Sequence, residues 1–122
     1  MKMGKGHVVP LASSVVELMR RRWEWRSSDD GLVFSTNGEK PLSDMTMTKV
    51  LRDMGHPRIT VHGFRSAFTD WTAEATDTPK EVADKALAHQ LPDRVEAAYR
   101  RTDFFDKRRS LMEAWASYAR SD

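Results

Sequence analysis

The sequence predicts a mainly α-helical protein, a compact multi-helix domain with a remnant of a small β-sheet at its amino terminus. Three observations carry that expectation. Apolar residues recur at helical spacing in several separate stretches, the clearest being Phe64, Ala67, Phe68, Trp71 and Ala75. Residues able to cap a helix precede those stretches: Ser13 or Ser14, Ser43 or Asp44, Thr60, Thr78 and Asp103. One short run near the start, His7-Val8-Val9-Pro10-Leu11, is β-prone instead, and its proline suits an edge strand.

Taken in order, Lys2 to Gly6 reads as the tip and return of a hairpin, with the strand at residues 7–11 following it. A helix is expected from Ser13 or Ser14 to about Arg26, with Val15, Val16, Met19 and Trp23 inward and the arginines outward. Ser27 to Gly31 is loop, Leu32-Val33-Phe34 a short buried extended piece, and Asn37 to Pro41 a second loop. The next helix runs to about Met54 and is closed by Gly55, with Met47, Val50, Leu51 and Met54 packing as core. Thr60 opens the central helix, which ends near Ala75. Thr78-Pro79-Lys80-Glu81 starts another, with threonine as cap and proline at the first helical position, leading through Val82, Ala86 and Leu87 to His89. A short helix from Arg94 to Arg100 presents Tyr99. Asp103 then caps a last helix, about Phe104 to Ala119, whose apolar side carries Phe104, Leu111, Met112, Trp115 and Ala119.

A chain of 122 residues is one domain, residues 1–122, large enough for a single core and short for a complete enzyme. With 39% hydrophobic and 31% charged residues it is a globular mixture holding no apolar run that could span a bilayer. The polar start lacks the apolar core of a secretory signal, so a cytoplasmic protein is expected, with no membrane partner. The absence of cysteine excludes disulfides, thiol catalysis and the usual structural zinc sites. The four histidines are scattered, so no metal and no cofactor is expected. The net charge of +2 is modest, but Arg20-Arg21-Arg22 with Arg26, and Arg100-Arg101 with Lys107-Arg108-Arg109, are concentrations that could face a polyanion. Such runs more often form solvated faces.

His62 and Arg65 stand outside the apolar stripe of the central helix. At about 100° per residue they lie near each other, more than a quarter-turn from the centre of the buried side. Imidazole and guanidinium can both donate to phosphate oxygens, which makes the pair a candidate anion clamp. A salt-bridging arginine and a helix-start histidine are the commoner use of these two residues alone. Two downstream residues shift the balance: His89 in Leu87-Ala88-His89, then Tyr99 in Ala97-Ala98-Tyr99-Arg100. A position at a helix C-terminus favours a protonated imidazole, able to donate to a phosphate.

This ordered set resembles the catalytic domain of the tyrosine recombinases, the phage-integrase family. The Val8-Val9-Pro10-Leu11 run and the Trp115-Ala116-x-Tyr118 tail look most like the integrases of prophages and genomic islands. The resemblance covers nearly the whole chain, from the hairpin lysine through the nucleophile to the last helix. It implies site-specific DNA recombination, integration or excision of a mobile element. Tyr99 would attack a phosphodiester to give a 3′-phosphotyrosine, Arg65 and His89 would hold the phosphate oxygens, and His62 would act in proton transfer. Lys2, with Lys5 as the fallback, would protonate the leaving 5′ oxygen.

The chemistry asks for such groups. A phenol with an ordinary pKa of about 10 needs a base or a positive setting to attack at neutral pH. Attack then gathers negative charge on the nonbridging oxygens, where fixed cationic donors are most effective.

The resemblance implies double-stranded DNA attachment sites as partner and a homotetramer on DNA for a full-length protein. The family has a further catalytic arginine upstream of the hairpin and a separate amino-terminal DNA-clamping domain, and nothing here corresponds to either. The expectation is a segment of a longer integrase, monomeric and inactive alone. Its last helix would fold back on its own core or dock on a neighbouring protomer. Two competing readings are a noncatalytic helical DNA-binding module and a type IB topoisomerase. The close spacing of His89 and Tyr99 and the Val9-Pro10-Leu11 run resemble integrases more.

Overall fold

The computed structural model describes residues 6–89 and 102–120. Among them are five helices, which we label α1 (Ser13–Glu24), α2 (Thr46–Asp53), α3 (Val61–Ala75), α4 (Lys80–Ala86) and α5 (Phe105–Arg120). The mainly helical expectation holds. No helix of the described residues is long and apolar enough to cross a membrane. The chain groups into two compact units, one made of the residues up to Ser13 together with Ala67 onward, the other of Ser14–Ser66.

The first unit holds the apolar core. Phe68 of α3, Val82 of α4 and Leu111 of α5 are its buried centre, with Trp71, Ala86, Leu87, Phe104, Met112 and Trp115 packed around them. Each of the three central side chains contributes roughly 1.5–3 kcal/mol by leaving water. Phe68 meets the edge of Trp115 at 5.3 Å between ring centres, and Trp71 stacks on Tyr118 at 5.6 Å. The last helix therefore folds back on its own chain. Thr72, between Phe68 and Ala75 on α3, is buried as well, and its hydroxyl has no hydrogen-bond partner among the described residues.

Two polar contacts tie the amino-terminal segment to α5. The Glu113 carboxylate accepts from both the main-chain N–H and the hydroxyl of Ser13, each at 2.7 Å. The sequence predicts that Ser13 or Ser14 caps this helix; the Ser13 donors are satisfied by an anion, which the positive end of a helix favours. Arg108, only 2% exposed, donates to the carbonyl of Val8 at 2.7 Å and to that of Asp103 at 2.7 Å. The expected β-sheet remnant is not formed among the described residues: residues 6–12 are irregular, and the Val8 carbonyl is taken by this guanidinium rather than by a neighbouring strand.

In the second unit polar bonds do the organising. Ser35 is buried and its hydroxyl accepts from the Gly38 N–H at 3.1 Å, while the Asn37 side chain accepts from the N–H groups of Glu39 and Lys40 at 2.9 and 3.0 Å. Gly38 closes the turn at φ +80, a backbone conformation that suits glycine. Arg22 of α1 clamps the same loop through the carbonyls of Val33 and Ser35, at 2.8 and 3.0 Å.

Several burial and capping expectations fail. Leu32, Val33 and Phe34 are not a buried piece, being 47%, 52% and 56% exposed, because the loop is held by side-chain hydrogen bonds and not by an apolar neighbour. Met47, Val50 and Met54 of α2 are exposed rather than core, and so is Trp23, which lies beneath the Arg26 guanidinium at 3.8 Å. Pro79 stands at the N-cap of α4 instead of its first turn; its carbonyl accepts from Val82, and no side chain caps that helix.

Candidate active site

The first turns of α3 carry His62 and Arg65. Thr60 starts the helix as the sequence predicts, its hydroxyl accepting from the Gly63 N–H at 3.0 Å. The glycine between the two cationic residues has a local reason: a Cβ at position 63 would stand 3.1 Å from that hydroxyl and press on the cap. His62 is exposed and Arg65 is half-buried. Three residues apart, they are neighbours on one side of the helix, as an anion clamp requires. Further along the same helix Phe68 and Trp71 belong to the apolar core.

His89 follows the end of α4, and the way that helix ends positions it. Leu87 is the C-cap and Ala88 takes a left-handed conformation, φ 54. The N–H of Ala88 bonds the carbonyl of Lys85 at 3.1 Å, and the N–H of His89 bonds that of Asp84 at 2.9 Å. This pair of bonds is a Schellman termination, in which the backbone reverses and residue i+5 returns over residue i. As a result the His89 Nδ1 lies 3.0 Å from the Asp84 carboxylate. Sequence reasoning singles out His89 and misses Asp84. Its signal would be an acid five residues before a histidine at a helix end, legible only once Ala88 is known to be left-handed.

Tyr99, Lys2 and Lys5 lie outside the described residues, as do the expected helix at residues 94–100 and Arg100-Arg101. The basic runs are corrected in part. Arg22 and Arg108 are tied to main-chain carbonyls inside the chain, and Arg26 is paired with Asp29 at 2.7 Å. Arg20, Arg21, Lys107 and Arg109 are exposed. A run of like charges in sequence shows nothing of which members the loops need as donors. Among the described residues no group of three or more His, Asp or Glu side chains gathers as a metal site would.

With the fold and these two cationic positions in view, comparison with known proteins places the chain. A family model described as the phage integrase family matches residues 1–105, and the protein belongs to that family. It is 30% identical to the prophage integrase IntS of Escherichia coli K12 over 121 residues, covering 97% of this chain and 31% of that protein. It is 32% identical to the integrase of Enterobacteria phage P4, covering 97% of this chain and 28% of the relative, and 29% identical to the integrase of Shigella phage Sf6, covering 97% of this chain and 31% of the relative. The chain thus spans about a third of the length of the curated relatives it matches. No solved structure gives a significant match.

Proposed function

We propose that this chain carries most of the catalytic groups of a site-specific DNA recombinase that integrates or excises a mobile element through a covalent protein–DNA intermediate. The observation that carries the reading is the placement of His62 and Arg65 on the opening turns of α3, in a chain where His89 and Tyr99 come later in the order of the integrase family. Tyr99 attacks a phosphodiester of the attachment site; the P–O5′ bond breaks as the phosphotyrosine forms. Arg65 and His89 take the nonbridging oxygens, where charge accumulates. His62 relays the phenolic proton, and Lys2 or Lys5 gives one to the departing 5′ oxygen. The second strand exchange and a tetrameric assembly on DNA belong to the same reading for a protein of the relatives' full length.

The residues assigned above do not include the family's further catalytic arginine, and losing one charge-stabilising donor slows such a step by about 10²–10³, so little or no recombination is expected of residues 1–122 alone. The test is long incubation with nicked suicide duplexes that carry the attachment-site sequence, in which the cleaved strand diffuses away and the adduct accumulates. Wild-type protein should give a slow-migrating covalent complex, and Tyr99→Phe none, with DNA binding preserved. An adduct of equal yield in the phenylalanine variant sinks the assignment of the nucleophile. Rapid multiple turnover by wild-type chain sinks the expectation of slow chemistry.

A further inference from the structure

Asp84 and His89 are joined twice, once through the backbone at 2.9 Å and once through their side chains at 3.0 Å. The second contact is a consequence of the first, because the reversal after Ala88 brings the imidazole back over the last full turn of α4. The Asp84 side chain is 16% exposed and that of His89 40%, so the carboxylate is largely withdrawn from water while the ring still reaches it. An ionised carboxylate can only accept, so the nitrogen that faces it must carry the proton. Which ring nitrogen is protonated is set by the bond its partner nitrogen makes. Nδ1–H is therefore committed to Asp84, and Nε2 becomes the atom presented to a ligand.

We propose that Asp84 is the positioning residue of the phosphate-binding histidine: it holds the His89 ring by Nδ1–H, so that in the imidazolium form Nε2–H is the donor to a phosphate oxygen of DNA. The inference rests on the proposed role of His89 as a phosphate ligand. It adds a requirement that the motif residues do not contain. Without the carboxylate the imidazolium would keep both N–H groups but rotate about χ1 and χ2, losing the fixed direction that charge stabilisation needs.

Two measurements on the intact chain test this. The first is the side-chain ¹⁵N spectrum of His89, which distinguishes the two neutral tautomers and would not respond to a merely structural role for Asp84. The second is affinity for a short DNA duplex at low salt. Wild-type His89 should be in the Nδ1–H form at high pH, and Asp84→Ala should move it to the Nε2–H form ordinarily favoured in water. His89→Ala and Asp84→Ala should each weaken duplex binding by a similar factor, about fivefold.

An unchanged tautomer in Asp84→Ala overturns the positioning role whatever the DNA result. A changed tautomer together with wild-type affinity in His89→Ala leaves the Asp84–His89 coupling standing and overturns the phosphate-ligand reading. Should Asp84→Ala fail to fold, the isosteric Asp84→Asn takes its place, and a resolved population of the Nε2–H form with reduced affinity is expected. Pure Nδ1–H with unchanged affinity in that variant overturns the proposal.

Discussion

The guanidinium of Arg108 donates to the carbonyl of Val8, 100 residues upstream, at 2.7 Å, and with its Nε to the carbonyl of Asp103 at 2.7 Å. It does so at 2% exposure, with the Asp103 carboxylate 3.6 Å away and the Phe105 ring below it. A buried cation is tolerated only where its donors are satisfied. Here the donors in turn satisfy two carbonyls, one of which belongs to the segment that the sequence predicts to pair as a strand.

Arg108→Ala should therefore destabilise the protein by about 2–4 kcal/mol, since it leaves two acceptors unpaired and a hole beside the Phe105 ring. Arg108→Lys should recover less than half, because a point ammonium lacks the planar fork that spans two carbonyls. The neighbouring Arg109, exposed and 3.7 Å from Asp106, should lose no more than about 0.5 kcal/mol on mutation to alanine. Urea unfolding of the three variants decides it. Equal small losses at both positions would remove Arg108 from the framework.

What is legible in the sequence, and what is hidden there, divides along physical lines. The α3 boundaries, the Thr60 cap and the burial of Phe68, Val82 and Leu111 follow from periodicity and capping, which are local and repeat over many residues. The exposure of Leu32-Val33-Phe34 and of the α2 methionines is not legible, because an apolar side chain does not announce whether anything lies opposite it. Arg108 reads as surface because charge is written in the sequence and solvation is not. At the candidate site, His62, Arg65 and His89 are legible as types in order. Asp84 is not, since its contact depends on a left-handed alanine that propensity disfavours.

The Ser13–Glu113 contact gives stability a pH dependence of known sign. The Ser13 hydroxyl first, and then the Ser13 N–H, hold the Glu113 carboxyl below the usual glutamate value. A lowered folded-state value means that the stabilisation is fully present above the unfolded glutamate pKa of about 4.3 and fades as pH falls through the lowered one. Urea unfolding from pH 7 down to pH 3 should show wild type and Glu113→Gln separated by a constant gap above about pH 5.5, with the gap closing in acid. Ser13→Ala should retain part of it through the N–H contact. A gap that widens on acidification would contradict the assignment.

Ala88 offers the sharpest separation between strain and geometry. At φ 54 its Cβ meets the steric penalty of the left-handed region, about 1–2 kcal/mol for an L-residue. Glycine escapes that penalty but loses about 0.5–1 kcal/mol more backbone entropy on folding. The difference favours glycine, so Ala88→Gly should stabilise the protein by roughly 0.5–1 kcal/mol while the N–H of residue 88 still bonds Lys85 and His89 still returns to Asp84. Ala88→Val runs the other way: a β-branched residue is a true outlier at positive φ. It should cost about 2 kcal/mol or open the end of α4, and in the second case the His89 ring loses the carboxylate. Thermal unfolding together with the His89 ¹⁵N spectrum reads both effects in one sample. If glycine destabilises while the imidazole keeps its Nδ1 proton, the left-handed alanine is not strained. If valine leaves both stability and tautomer unchanged, the reversal at Ala88 is not what holds His89 over Asp84.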